Sequence, residues 1–107
     1  MLNSLNSILV EGTVKDVPIL EDGVATFEIE SRRVYMDGED RKVETSVFPI
    51  VTRSRLAEVC AEYLKGGRGV RIVGRLQWVP EGAAQIMAEH VEFQPIKAKV
   101  AEAVGAV

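Results

Sequence analysis

The chain has 107 residues, 47% of them hydrophobic and 27% charged, which suits one soluble globular domain with a real core and is too short for two. No apolar run approaches the ~20 residues that span a bilayer, and the opening MLNSLNSILVEG has neither the basic start nor the cleavage site of a signal peptide, so a cytoplasmic protein is expected. One cysteine, Cys60, and one histidine, His90, exclude an internal disulfide and a Cys-based zinc site, so no metal and no cofactor are expected, and the net charge of −3 does not by itself advertise a binder of polyanions.

SILVEGTVKDVPIL reads as a first strand, because Ile8, Val10, Gly12 and Val14 share one parity while Glu11, Thr13 and Lys15 share the other. Glu21 to Gly23 is a turn signal. In VATFEIES, a second strand, Ala25, Phe27 and Ile29 face one way and Thr26, Glu28 and Glu30 the other. Met36 to Lys42, MDGEDRK, is polar and holds Gly38, so a loop is expected. VETSVFPIVT is a third strand, and Pro49, with no amide to donate, marks an edge position or a bulge.

Ser54 is placed to cap a helix whose apolar face is Leu56, Val59, Cys60, Tyr63 and Leu64, with Tyr63 in the core. Lys65 suits the C-terminal end of the helix dipole, and Gly66 the left-handed position after it. VRIVGRLQW is a fourth strand with Val70, Ile72 and Leu76 on one face and Arg71, Val73 and Arg75 on the other. Gly74 stands on the core-facing side, where a glycine lets a strand bend sharply or another segment approach. VPEGAA is a hairpin loop and QIMAEHVEF a fifth strand ended by Pro95. The domain is expected over residues 1–95, with 96–107 as a tail that is either a frayed helix or disordered.

The order β-β-β-α-β-β is that of an all-β fold with one helix, the OB-fold: a five-stranded Greek-key barrel with its helix between strands three and four. An open α+β sheet shows the same order. Charge is unevenly spread: residues 1–52 carry net −5, residues 53–75 net +4 and residues 76–107 net −2. A local basic block matters more to a polyanion than the net charge does.

RLAEVCAEYLKGGRGVRIVGRL resembles the central signature of bacterial single-stranded DNA-binding proteins of the SSB family. There a strand runs into Gly-Lys-Leu-Ala-Glu, a short helix ends in a Lys-Gly turn, and a Val-x-Val-x-Gly-x-Leu strand follows. NSILVEGTVKDVP, VATFEIESRR and AQIMAEHVEF extend the resemblance over about residues 5–94. It implies an OB-fold that is not an enzyme. Such a domain assembles as a homo-oligomer, a tetramer or dimer, and holds single-stranded DNA by a basic groove and aromatic stacking, with little sequence preference. The implied roles are replication, recombination and repair, in the cytoplasm at the nucleoid, with replication and repair proteins as partners. The acidic tail tip that recruits such partners in better-known members is absent from AEAVGAV.

Carried over by position, the resemblance and the local charge point to Arg32, Arg33, Tyr35, Arg53, Arg71 and Trp78 as DNA contacts, with Arg68 and Arg75 next. Tyr35 falls at or near a position the family fills with tryptophan. Two further aromatic platforms fall on Val47, which cannot stack, and on Arg53, which can lie flat on a base and pair with phosphate. Bland readings stand beside these. Arg71 either meets phosphate or belongs to a solvated strand face, and Arg75 either meets phosphate or pairs with Glu89. Glu28 and Glu30 could neutralise Arg32 and Arg33, and Trp78 is either a stacking platform or a lid on the core. An SSB-like paralogue used mainly for protein assembly is the competing reading. Catalysis has no support: no acid–base pair is visible, and GGRG opens a strand without a following Lys-Ser/Thr.

Overall fold

Strand pairing closes this chain on itself. The computed structural model describes residues 2–95; the expected tail, 96–107, lies outside the described residues. The order is β1 (Ile8–Val14), β2 (Ile19–Glu21), β3 (Val24–Asp37), β4 (Asp40–Arg53), α1 (Ser54–Tyr63), β5 (Gly69–Trp78) and β6 (Ala84–Phe93). β1 pairs antiparallel with β5, β5 with β6, β3 with β4, and β1 with β3 at Thr13↔Glu30 and Val14↔Ile29. A parallel contact between β4 and β6, Ile50↔Ile86 and Val51↔Met87, completes the ring. The result is the closed five-stranded barrel of an OB-fold, with the helix between its third and fourth barrel strands.

The extra strand comes from a break in the expected first one. The Val14 and Lys15 amides leave the ladder to donate to the Arg68 and Glu28 carbonyls at 2.8 and 3.0 Å. Pro18 has no amide to continue it. β2 then resumes as a three-residue strand against the start of β3. The turn between them uses Asp22 and Gly23, both at positive φ, as a tight hairpin requires.

The expected loop at Met36–Lys42 is instead almost all strand. Tyr35↔Lys42, Met36↔Arg41 and Asp37↔Asp40 pair across, leaving only Gly38 and Glu39 in the turn, with Gly38 at φ +66°. Gly38-Glu39, with glycine at the first central position as in a type II′ turn, is a hairpin signal, and the charges around it reflect exposure rather than lack of structure. Pro49, exposed, lies on β4 just before the residues that also pair with β6, an edge position.

The helix differs from expectation at both ends and on its inner face. Ser54 does not cap it: Arg53 is the N-cap residue, no side chain bonds there, and Ser54 sits at φ +57° with its amide bonded to the Gly23 carbonyl. At the other end Gly67, not Gly66, takes the positive φ. Tyr63 is 57% exposed rather than core. The buried stripe is Ala57, Cys60 and Leu64. At 3.6 residues per turn, Tyr63 stands about 90° around the helix from the centre of that stripe.

The core fills the barrel and the space under α1. Ile29, Ile50, Ile72 and Leu64 are essentially fully buried, each worth roughly 1.5–3 kcal/mol of transfer from water. Phe48 and Phe93 pack against them from the rim. The one buried polar residue among those described, Thr52, is satisfied by donating its hydroxyl to the Ala25 carbonyl at 3.1 Å. Gly74 sits at a register shift between β5 and β6, where any Cβ would overlap the Met87 carbonyl oxygen. A Cβ on Gly12 would lie 2.7 Å from the Glu30 carbonyl oxygen, so that glycine lets β1 close onto β3.

Candidate nucleic-acid interface

Because β4 and β6 run parallel, the residues preceding their short contact leave the barrel at the same end. Residues 40–49 of β4 leave with the outer half of β3, and residues 84–85 of β6 leave with the end of β5. Two hairpins therefore project from one end of the barrel. The long one is a two-stranded arm, 31–37 against 40–46. The short one turns through 79–83, held by Val79 N–H to the Ala83 carbonyl at 2.9 Å and Gly82 N–H to the Val79 carbonyl at 3.0 Å.

Sequence-predicted residues divide among these elements. Arg32, Arg33 and Tyr35 are on the arm, but strand alternation sends them to two faces. Arg33 and Tyr35 share one, the guanidinium lying 4.9 Å from the ring centroid, with Lys42 and Glu44 opposite. Arg32 is on the other, beside Val34 and Met36 on β3 and Arg41, Val43 and Thr45 on β4. Trp78 is on the short hairpin, 71% exposed, so it is not a lid on the core. Arg53 is exposed at the opposite end of the barrel, where β4 enters α1.

The remaining arginines are engaged within the chain. Arg68 donates from Nε to the Gln94 carbonyl at 2.9 Å and lies 5.5 Å from the Phe93 ring centroid, tying the turn after α1 to the end of β6. Arg71 donates from Nε to Glu11 at 2.8 Å, and its other nitrogens reach Glu11 at 2.6 Å and Glu92 at 3.8 Å. The Glu11 hydrogen bond and the charges of Glu11 and Glu92 push its already high pKa upward. Arg75 stands 3.9 Å from Glu89, the expected alternative partner. Arg55 is 3.6 Å from Glu58. The basic block at 53–75 is therefore not one patch: Arg71 and Arg75 lie across the sheet from Glu11, Glu92 and Glu89, and Arg55 lies beside Glu58 on the helix.

Arg41, Lys42, Val34, Met36 and Val43 were missed by sequence reasoning because four of the five neighbour or fall inside the expected loop. The Gly38-Glu39 turn flanked by alternating Val34, Met36 and Val43 was the available signal. A further groove of about 400 Å³ lies on the barrel's outer face, with Lys15, Asp16, Val17, Glu28, Pro49 and Val51 among its lining residues. The Cys60 thiol is pushed up to about 11 by burial, so it is no nucleophile at neutral pH. Among the described residues no three His, Cys, Asp or Glu side chains gather as a metal-binding group, and no helix is long and apolar enough to cross a membrane.

A five-stranded OB barrel with exposed basic and apolar hairpins at one end belongs to the class of oligonucleotide- and oligosaccharide-binding domains. Residues 6–94 match the model of the single-strand binding protein family, and the chain belongs to that family. A curated relative, a single-stranded DNA-binding protein of Caldanaerobacter subterraneus subsp. tengcongensis, is 33% identical over 106 aligned positions, covering 83% of this chain and 67% of the relative. Two solved structures share the fold. The Plasmodium falciparum SSB in complex with ssDNA superposes with a TM-score of 0.78 at 24% identity, over 89% of this chain and 99% of that one. A small single-stranded DNA-binding protein of Streptomyces coelicolor gives 0.72 at 22% identity, over 87% and 96%.

Proposed function

We propose that this chain is a non-enzymatic, sequence-tolerant binder of single-stranded DNA, serving replication, recombination and repair at the nucleoid as a homo-oligomer. The observation that carries the reading is the pair of hairpins at one end of an SSB-family barrel, presenting Arg32, Arg33, Arg41 and Lys42 with Tyr35 and Trp78 exposed. Cations tracking phosphates beside surfaces for bases are the two parts a single-strand site needs. Oligonucleotide sites on OB-folds lie on the barrel strands corresponding to β3 and β4 and the neighbouring loops. In this chain that face runs from the groove at Pro49 and Val51, where Glu28 and Glu30 stand opposite Pro49 and Val47, outward to Val43. Arg53, Arg68, Arg71 and Arg75 take a lesser part, since three of the four are held by partners within the chain.

Those same internal pairings favour the second reading, an assembly module with weak DNA binding. A titration with a 35-nucleotide dT oligomer at low and moderate salt, read by Trp78 fluorescence, separates them. Tight, salt-dependent binding with quenching is expected. No binding below ~10 μM at low salt, near the nonspecific range, would overturn the main reading. Sedimentation of the same samples gives the oligomeric state, expected to be a dimer or tetramer.

A further inference from the structure

One face of the arm is aliphatic where the single-strand reading would call for rings. Val34 and Met36 are 53% and 62% exposed, and Val43 and Val47 are exposed beside them. They stand in cross-strand rows: Glu30 opposite Val47, Arg32 opposite Thr45, Val34 opposite Val43, and Met36 opposite Arg41. The outer three rows hold two arginines and no carboxylate, because Asp37, Asp40 and Glu44 have the other parity. The opposite face carries Arg33 and Lys42 against those three acids. An apolar strip whose outer three rows carry only positive charge fits a polyanion with apolar edges, and rows spaced ~6.8 Å, two residues at ~3.4 Å each, match one unstacked nucleotide per row.

We infer that this strip adds a modest preference for thymine to an otherwise sequence-tolerant single-strand site, the C5-methyl of thymine packing on Val34, Val43 and Met36 while Arg32 and Arg41 meet the flanking phosphates. The inference rests on the single-strand-binding reading and deepens it. Aliphatic side chains have no π-face to stack on any base, but they bury a methyl group well, and only thymine offers one. Uracil lacks the methyl, so RNA and deoxyuridine strands lose this contact. Burying one methyl corresponds to about fourfold in affinity, and the two apolar rows, Val34/Val43 and Met36/Arg41, together to about fifteenfold.

Competition between dT and dU oligomers of 35 nucleotides tests this, since the two differ only in the methyl. The wild-type chain is expected to prefer dT by about fifteenfold. The variant Val34→Thr/Val43→Thr keeps shape and strand propensity but puts hydroxyls on one of the two rows, and its dT/dU ratio is expected to fall to about four, the Met36 row remaining. Tight but equal binding of dT and dU by the wild-type chain overturns the inference and leaves the single-strand reading standing. Binding of neither overturns both. A double variant that loses its oligomeric state in sedimentation, while the dT/dU ratio stays unchanged, assigns the strip to a second copy of the chain and also overturns the inference. Far-ultraviolet circular dichroism and a thermal melt of the variant show that any change is not loss of fold.

Discussion

Arginines that are chemically alike in sequence are expected to behave differently on DNA, because the fold gives some of them carboxylate partners. Arg71 is held by Glu11 and Glu92, and Arg75 by Glu89, whereas among the described residues no ion pair is formed by Arg32 or Arg41. For single strands, log K falls with log salt at about 0.7 per phosphate neutralised. Replacing Arg32 and Arg41 together by glutamine is expected to reduce the slope by about 1.4. Between 50 and 200 mM salt that is about a sevenfold smaller loss of affinity than the wild-type chain suffers. Replacing Arg71 and Arg75 by glutamine should change the slope by less than about 0.3, since each already sits against an acid and releases little on binding. The assay is fluorescence titration of a 35-nucleotide dT oligomer at four or so salt concentrations. Equal slope changes in the two double variants would refute the reasoning, as would an unchanged slope when Arg32 and Arg41 are gone.

Other expectations concern the frame. Gly74→Ala puts a Cβ onto the Met87 carbonyl, which is backbone and cannot swing aside, so the cost should exceed ~2 kcal/mol and lower Tm by more than about 10 °C. A melt within about 2 °C of wild type would refute that close approach. Tyr63→Ser, on the exposed side of α1, should stay within ~0.5 kcal/mol of wild type by urea titration; a loss of 2 kcal/mol or more would put the ring back in the core. Burial raises the Cys60 thiol from its ordinary 9.0 to about 11, so the native chain holds that proton more tightly than the unfolded one. This contribution is whole below about pH 9 and is lost as pH rises towards 11. Cys60→Ala should lower stability at neutral pH by leaving a small cavity, yet flatten the decline between pH 9 and 11 in thermal melts.

The barrel was legible because its signals are local. Alternation in Ala25–Phe27–Ile29 and in Val70–Ile72, and the helix before GGRG, each follow from spacing along a few residues. Gly74 was readable for the same reason, as a small residue on an inward parity. The site was only partly legible. Arg71 looks free in sequence because Glu11 is 60 residues away, and only the β1–β5 ladder brings them opposite each other. Arg32 and Arg33 look like one basic pair, but a strand's period of two sends adjacent residues to opposite faces. Tyr63 was misplaced by one step of helical phase, because Ala57 is too small to register as apolar pattern although it is fully buried.

The shortness of the closing contact links fold to proposed function. β4 has 14 residues, but only Ile50 and Val51 pair with β6. A longer parallel ladder would stabilise the barrel and would also cover the edge of residues 40–49. Left uncovered, that stretch and its partner in β3 form a two-stranded ribbon, and such a ribbon is marginal without a third strand or a packed face. An exposed ribbon edge also invites pairing with other chains. This arm answers the second problem with charge: Arg32, Arg33, Asp37, Glu39, Asp40, Arg41, Lys42 and Glu44 crowd its surface. Charge of both signs guards the edge but does not stabilise the ribbon, so the arm gains most from an occupant on its apolar, arginine-bearing face. Hydrogen exchange of the arm amides is therefore expected to slow when a dT oligomer is added, more than exchange in the barrel strands does.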